Sequence, residues 1–166
     1  MFRFATFDAG IGVVSARAPE RAASDPLVAL RPGTVSPPPC PLPLFQSRIP
    51  AGFPSPADDE LEGTIDLNEQ LIRHPAATFF LRVKGDSMIG AGIHDGDLVI
   101  VDRALDAKSG SIVVAAVNGE LTLKRLRIAG GRVWLVPEHS DYAALEIRGE
   151  MDLVVWGVVA HVVHSF

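Results

Sequence analysis

The chain has 166 residues, of which 48% are hydrophobic and 21% are charged. This composition supplies enough apolar side chains for one folded domain with a core, and it excludes general disorder. The formal net charge is −5, which excludes proteins whose affinity depends on a basic face that neutralises phosphates.

Residues 1–50 form a proline-rich arm. They contain the run PGTVSPPPCPLPLF, and prolines at this density remove backbone donors and favour an irregular, extended chain without a core of its own. The arm carries five arginines and three acidic residues, whereas residues 51–166 carry ten basic and seventeen acidic residues. Because the acidity lies in the C-terminal part, we expect that part to bind DNA directly only weakly.

The single cysteine and the lack of apolar spans bear on the compartment. Cys40 alone can form neither an internal disulfide nor a cysteine zinc cluster, which favours a reducing environment. No stretch reaches the roughly 20 apolar residues that cross a bilayer, and the N-terminus lacks the order of a secretory signal. The sequence therefore predicts a cytoplasmic protein with no membrane association.

A linker and a short helix are predicted after the arm. Residues 51–63, AGFPSPADDELEG, are acidic and interrupted by prolines, as is typical of a linker. The segment DLNEQLIRH, residues 66–74, predicts a helix with Asp66 as its N-cap and Glu69 at the capping-box position. Pro75 follows the predicted end of this helix.

From Thr78 onward, the pattern is strand, turn, strand. Asn118-Gly119 predicts a tight hairpin, and Gly130-Gly131 predicts a second turn. About six to eight short strands with little helix indicate a mostly β, compact domain. The predicted strands are 79–84, 97–102, 111–117, 120–128 and 132–137, followed by one or two closing strands within 151–166.

Three further motifs are too weak to indicate a site. DAGIGVVSA lacks the third glycine of a dinucleotide fingerprint and has no βαβ unit around it. His161 and His164 are three residues apart, so in a strand they point to opposite faces and do not suit one metal ion. Asp95, Asp97 and Asp102 lack the frame of a calcium loop, and the first two predict a turn. We expect neither a metal ion nor another cofactor.

Ser87 stands out within VKGDSMIGAGIHDGD, residues 83–97. Its hydroxyl could cap a turn, or it could be a nucleophile, which requires a base. None of the five histidines has a local setting typical of that base, although His139 stays open as a candidate. The alternative base is a lysine that is removed from water, and the chain has three lysines.

Lys124 is the best of these lysines. Lys108 lies in a turn, where its side chain should be solvated, whereas Lys124 lies in the strand ELTLKRLRI on the same face as Leu126 and Ile128. To act as a base at neutral pH, its pKa must fall by about three pH units from about 10.4, which costs about 4 kcal/mol. Burial of the side chain can lower the pKa by this amount, whereas a position at the sheet rim with the amine in water could not.

Four segments resemble the UmuD family, in this order: AGFPSPADD, IDLNEQLIRHPAATFFLRVKGDSM, DGDLVIVDRAL and LTLKRL. These proteins are self-cleaving subunits of the SOS mutagenesis polymerase and are related to the LexA and phage-repressor autoproteases. The resemblance covers residues 45–166. The intervals of 35 positions from Gly52 to Ser87 and 37 from Ser87 to Lys124 are similar to the family's own.

The resemblance implies a Ser-Lys dyad that cuts the chain's own arm. Ser87 would be the nucleophile, Lys124 its base and Ala51-Gly52 the bond that is cut. The backbone N–H groups of Ser87 and Met88 would be the oxyanion donors.

The resemblance also implies a domain order and partners. Residues 1–51 would be an extended arm that is removed, and residues 52–166 a compact LexA/UmuD-type domain of curved antiparallel sheets. A RecA filament on single-stranded DNA would stimulate cleavage. The product would form a homodimer and join a UmuC-type DNA polymerase for synthesis past lesions.

The chain departs from the family in two places. The best-known members have cysteine before the scissile glycine, whereas this chain has Ala51, as LexA-type relatives do. The arm is also longer than usual, and residues 1–27 are either a genuine addition or the result of an upstream start codon. Whether cleavage occurs within one chain or between dimer partners is also open.

Three other functions are weighed against this one. A LexA-like repressor would need an N-terminal helix-turn-helix, and the proline-rich arm offers no helix pair. A signal-peptidase-like enzyme would need a membrane anchor. A non-catalytic β-sheet adaptor, in which Ser87 and Lys124 are only structural, stays open because position alone does not prove that Lys124 is desolvated.

Overall fold

The computed structural model describes residues 38–46 and 61–166. These residues fall into two units, one that ends at Arg73 and one that begins at His74. Within the described ranges, no helix is long and apolar enough to cross a lipid bilayer.

The first unit contains a two-stranded antiparallel ladder and a short helix. Strand β1, Leu42–Phe45, pairs with β2, Leu61–Ile65, and Pro43 is opposite Thr64. Helix α1, Leu67–Leu71, follows. The prediction that residues 1–50 are irregular and 51–63 are a linker is therefore wrong at these two strands. Each strand of a two-stranded ladder has an open edge, so a proline there need not remove a ladder hydrogen bond.

The predicted N-cap of the helix is confirmed. The Asp66 carboxylate accepts hydrogen bonds from the backbone N–H groups of Asn68 (2.8 Å) and Cys40 (2.7 Å). Both hydrogen bonds lower the pKa of Asp66, and the bond from Cys40 has the larger effect. The helix is shorter than the predicted segment, because it ends with Ile72 as its C-cap.

The second unit is built on one seven-stranded sheet in which every pairing is antiparallel. A short 3₁₀ turn, Pro75–Ala77, precedes it. Its strands are β3 Thr78–Arg82, β4 Leu98–Asp102, β5 Ile112–Val117, β6 Glu120–Ala129, β7 Arg132–Val136, β8 Leu145–Ile147 and β9 Leu153–Val163. They lie side by side in the order β3-β4-β9-β5-β6-β7-β8, which confirms the prediction of a mostly β domain.

The turn and strand predictions are confirmed with two differences. Asn118 and Gly119 have φ values of 51° and 88°, as a type I′ hairpin between β5 and β6 requires. Strand β8, only three residues long, was not predicted. The closing segment is one strand, β9, whose register shifts twice as it pairs first with β5 and then with β4. Such bulges bend a strand without ending it.

The central strand β5 carries buried side chains on both faces of the sheet. Val113 and Ala115 point into one core cluster and Val114 into the other, as the two-residue period of a strand dictates. The second cluster also contains Met88 and Ile93, which belong to the segment between β3 and β4. This cluster therefore anchors the loop that carries Ser87.

Candidate active site

The loop that carries Ser87 leaves the end of β3 and is held by a turn that precedes β4. The backbone N–H of Val83 donates to the carbonyl of Asp97 (2.8 Å), and the N–H of Gly85 donates to the Asp95 carboxylate (2.6 Å). Gly85 has a φ of 93°, which a residue with a Cβ would rarely adopt. The predicted turn at Asp95 and Asp97 thus fixes the backbone just before Ser87.

Two contacts fix the same loop just after Ser87. The Met88 side chain is only 2% exposed and packs into the core. The backbone of Glu138 forms two hydrogen bonds with the loop. Its N–H donates to the Ser87 carbonyl (2.8 Å), and its carbonyl accepts from the N–H of Gly90 (2.7 Å). A Cβ on Gly90 would lie 2.5 Å from that carbonyl oxygen, so this approach requires glycine.

Strand β6 brings Lys124 to Ser87. The Lys124 Nζ lies 2.8 Å from the Ser87 Oγ and 2.9 Å from the carbonyl oxygen of Leu123. The predicted burial of this strand face holds at Leu126, which is fully buried in the first core cluster, and does not hold at Ile128, which is 38% exposed.

Burial lowers the pKa of Lys124 below its ordinary value. No carboxylate within residues 38–46 and 61–166 forms an ion pair with its ammonium, so no partner of this kind opposes the shift. A neutral amine can donate an N–H to the Leu123 carbonyl while its lone pair accepts the proton of the Ser87 hydroxyl. The geometry therefore suits proton transfer from serine to lysine.

The other candidate bases are not in this position. His139 Nδ1 accepts a hydrogen bond from the Asp141 N–H, and its ring packs edge-on against Tyr142. Lys108 is exposed in its turn, as predicted. Of these candidates, Lys124 is the side chain that the structure brings to the Ser87 hydroxyl.

The amides of Ser87 and Met88, which are predicted to form the oxyanion site, are not engaged elsewhere. Neither Ser87 N–H nor Met88 N–H has a protein acceptor in the described part of the chain. Donors that are free beside a nucleophile can bind the oxygen that becomes negative during acyl transfer.

Two side-chain pairs at this site were missed by sequence analysis. The Tyr142 hydroxyl donates to the carboxylate of Asp86, next to Ser87, and this bond lowers the pKa of Asp86. Arg125, next to Lys124, pairs with Glu138 at 2.5 Å. Both pairs join residues that are distant in sequence, and no local motif signals such contacts.

A groove of about 330 Å³ runs past the serine and the lysine. Its walls are mainly apolar and include Leu81, Val83, Val99, Val114 and Leu123. Among the described strands, β7 pairs with β6 only from Arg125 onward, so the edge of residues 120–124 is open on that side. An open strand edge beside an apolar groove can bind an extended peptide by adding it as a further strand.

Ala51 and Gly52 lie outside the described residues, as do the dinucleotide-like motif and residues 1–27. In sequence, Ala51-Gly52 falls in the connection between β1 and β2.

A family model and individual relatives both relate this chain to the S24-type peptidases. The Peptidase S24-like family model matches residues 43–160. Protein MucA of Salmonella typhimurium is 46% identical over 121 residues, which cover 72% of this chain and 82% of MucA. Protein SamA of Salmonella typhimurium is 47% identical over 123 residues, 74% of this chain and 85% of SamA. The LexA repressor of Xylella fastidiosa is 43% identical over 111 residues, 67% of this chain and 52% of LexA.

Proposed function

The chain belongs to the Peptidase S24-like family of UmuD- and LexA-related proteins, as its motifs predicted, and on this premise we propose that it is a Ser-Lys autoprotease. Ser87 is the nucleophile and Lys124 its base. The observation that carries the proposal is the 2.8 Å contact between their reacting atoms, together with the lowered pKa of the lysine.

The reaction follows from these positions. The neutral Lys124 amine takes the Ser87 proton as Oγ attacks the scissile carbonyl carbon, and the amides of Ser87 and Met88 stabilise the oxyanion. The C–N bond then breaks, and the lysine ammonium gives its proton to the leaving amine. Water, deprotonated by the same lysine, hydrolyses the acyl-serine ester and restores the free hydroxyl.

The proposed substrate is the chain's own Ala51-Gly52 bond. Two small residues would allow an extended segment to lie close to Ser87, and prolines such as Pro54 and Pro56 disfavour a helix in that segment. The apolar groove and the open edge of β6 support binding of such a segment. Cleavage removes residues 1–51 and releases residues 52–166.

The proposed role of the product is that of a homodimeric accessory subunit of a UmuC-type translesion polymerase in the cytoplasm. A RecA filament on single-stranded DNA stimulates the cleavage. The similarity to MucA and SamA over most of each chain supports this role more than that of a repressor. The acidic charge of residues 51–166 favours action through protein partners over direct binding to DNA.

The test is to incubate the full chain with and without RecA, single-stranded DNA and a nucleotide, and to determine the new N-terminus. We expect a fragment that begins at Gly52, which accumulates faster with the filament. A chain that stays intact under both conditions would contradict the proposal and favour the non-catalytic adaptor. A cut at another bond would contradict the proposed substrate.

A further inference from the structure

Two histidines converge on one buried aspartate away from the Ser-Lys pair. Asp97 begins the run into β4 and is 3% exposed. His94 lies three residues before it, in the same turn. His164 lies 67 residues after it, just beyond the end of β9. A potential ligand atom from each of the three side chains lies within 4.8 Å of the other two.

The carboxylate of Asp97 is held in a fixed orientation. Its Oδ2 accepts a hydrogen bond from the His94 backbone N–H (2.8 Å), and its Oδ1 is 2.5 Å from Nδ1 of His164. The carboxylate is therefore held in an orientation that turns its oxygens towards both rings.

The second ring is close to the carboxylate without being bonded to it. Nδ1 of His94 is 3.7 Å from Asp97 Oδ2, beyond hydrogen-bond distance, and the centroids of the His94 and His164 rings are 5.1 Å apart. Ligands about 2.0–2.1 Å from a tetrahedral zinc ion are about 3.3 Å from one another. To reach that spacing, His164 Nδ1 must move away from its 2.5 Å contact with Asp97 and His94 Nδ1 must move closer from 3.7 Å, and both imidazoles are exposed side chains.

We propose that His94, Asp97 and His164 form a binding site for a divalent metal ion of the zinc type. Two imidazoles and one carboxylate are a donor set that such ions prefer, and three protein ligands leave a fourth position for water. The site is separate from the proposed reaction, because neither Ser87 nor Lys124 belongs to it.

The surroundings leave access to the fourth position. A cleft of about 260 Å³ adjoins the site and is lined in part by Asp97 and His164. Asp95 adds a negative charge to this cleft, whereas Arg82 adds a positive charge that opposes a cation. The Arg82 guanidinium donates to the carbonyl of Gly96 (2.8 Å), which fixes it to the turn.

A bound ion would tie the end of β9 to the turn before β4. The same turn is hydrogen bonded to Val83, because Val83 N–H donates to the Asp97 carbonyl and Val83 carbonyl accepts from Gly96 (3.0 Å). The site would thus brace the backbone that leads into the Ser87 loop.

The test is calorimetric titration of the tag-free, chelator-treated full chain with Zn²⁺. The variants are His94→Asn and His164→Asn, and the matched control is His74→Asn. His74 also contacts a buried aspartate, Asp102, at 2.6 Å, but no second histidine joins that pair in the described chain.

We expect one tight equivalent of Zn²⁺ whose affinity falls by about tenfold or more in each ligand variant and not in the control. Circular dichroism of each variant checks that the fold is retained, and the visible spectrum of Co²⁺ in the same titration reports tetrahedral ligation. Absence of tight binding to the full chain would overturn the proposal. Equal binding by the wild type and both ligand variants would also overturn it.

Discussion

The Nζ atom of Lys124 lies 2.8 Å from the Oγ atom of Ser87, although 37 residues separate them in the chain. The contact forms because β6 runs beside the core cluster that anchors Met88, the residue after the serine. The same packing keeps water from part of the lysine and lowers its pKa. One arrangement therefore supplies the short distance and also favours the neutral amine that must accept the serine proton.

Replacement of the proposed nucleophile should abolish cleavage. Ser87→Ala removes the only atom that attacks the peptide bond, so the rate should fall by about a thousandfold or more while the fold is retained. Intact mass over time measures the rate. The control is Ser140→Ala, an exposed serine whose hydroxyl bonds only its neighbour Asp141 among the described residues. Equal cleavage of the Ser87→Ala variant and the wild type would refute the assignment.

The half-buried Lys124 should lower the stability of the fold at pH values below its pKa. Since its pKa is lower in the folded chain than in the unfolded chain, the folded state binds fewer protons between the two values. The cost is complete below the folded pKa and disappears as the pH rises through the unfolded value. Lys124→Met, compared in a Ser87→Ala background, should therefore raise Tm at pH 7.

The size of this gain should shrink as the pH approaches 10, because the unfolded lysine then loses its charge as well. Thermal unfolding at several pH values measures it. Lys108→Met is the control, since that lysine is exposed, and it should leave Tm nearly unchanged. A lower Tm for Lys124→Met at pH 7 would show that the ammonium is not destabilised by burial.

The sequence was sufficient to predict the parts of the fold that have local signatures. Asn118-Gly119 forms the predicted hairpin because both residues adopt positive φ, and Asp66 caps the predicted helix because its side chain reaches the N–H two residues on. The contact between Ser87 and Lys124 could be predicted from the resemblance to the UmuD family, because the 37-position interval between the two residues is similar to the family's own. Leu126 is buried as predicted, but in the core cluster on the other face of the sheet from the one that anchors Met88, so its burial does not account for the position of the lysine amine.

Contacts between distant segments could not be predicted in this way. The Tyr142–Asp86 bond spans 56 residues, and His164 meets Asp97 across 67 residues. The local pattern relates His164 only to His161, which is near it in sequence, whereas the sheet order places it beside the turn before β4. The pairing of β1 with β2 has no local signature, because prolines at this density are typical of unpaired chain.

The identity of the scissile bond can be tested by the size of its residues. Gly52→Leu should block cleavage, because a bulky side chain would keep the segment from lying close to Ser87. Ala57→Leu, which changes another small residue of the same segment, is the control and should be cut at nearly the wild-type rate. Unaltered cleavage of the Gly52→Leu variant would mean that another bond is cut.

The hydrogen bond from Tyr142 to Asp86 should support the loop that holds the nucleophile. Tyr142→Phe removes one hydroxyl and keeps the ring, so cleavage should slow by about three- to tenfold with no change of fold. The pKa of Asp86 should also rise, because its main stabilising donor is lost. Carboxylate titration by NMR in a Ser87→Ala background measures that pKa.

The control for this variant is Asp141→Asn, which changes a neighbouring carboxylate that does not accept from the tyrosine. Its cleavage rate should stay close to that of the wild type. If Tyr142→Phe is cut at the wild-type rate and Asp86 titrates as before, the bond plays no part in positioning the loop.

The most direct test of the account is the rate at which the Gly52 fragment forms, measured by intact mass from pH 6 to pH 10 in the full chain and in Lys124→Ala. A lysine base must be neutral to act, so the wild-type rate should rise with pH and level off above the lowered pKa of Lys124, below about 10.4. Lys124→Ala should show almost no cleavage at any pH. A wild-type rate that is independent of pH, or a Lys124→Ala variant cut as fast as the wild type, would contradict the claim that Lys124 is the base.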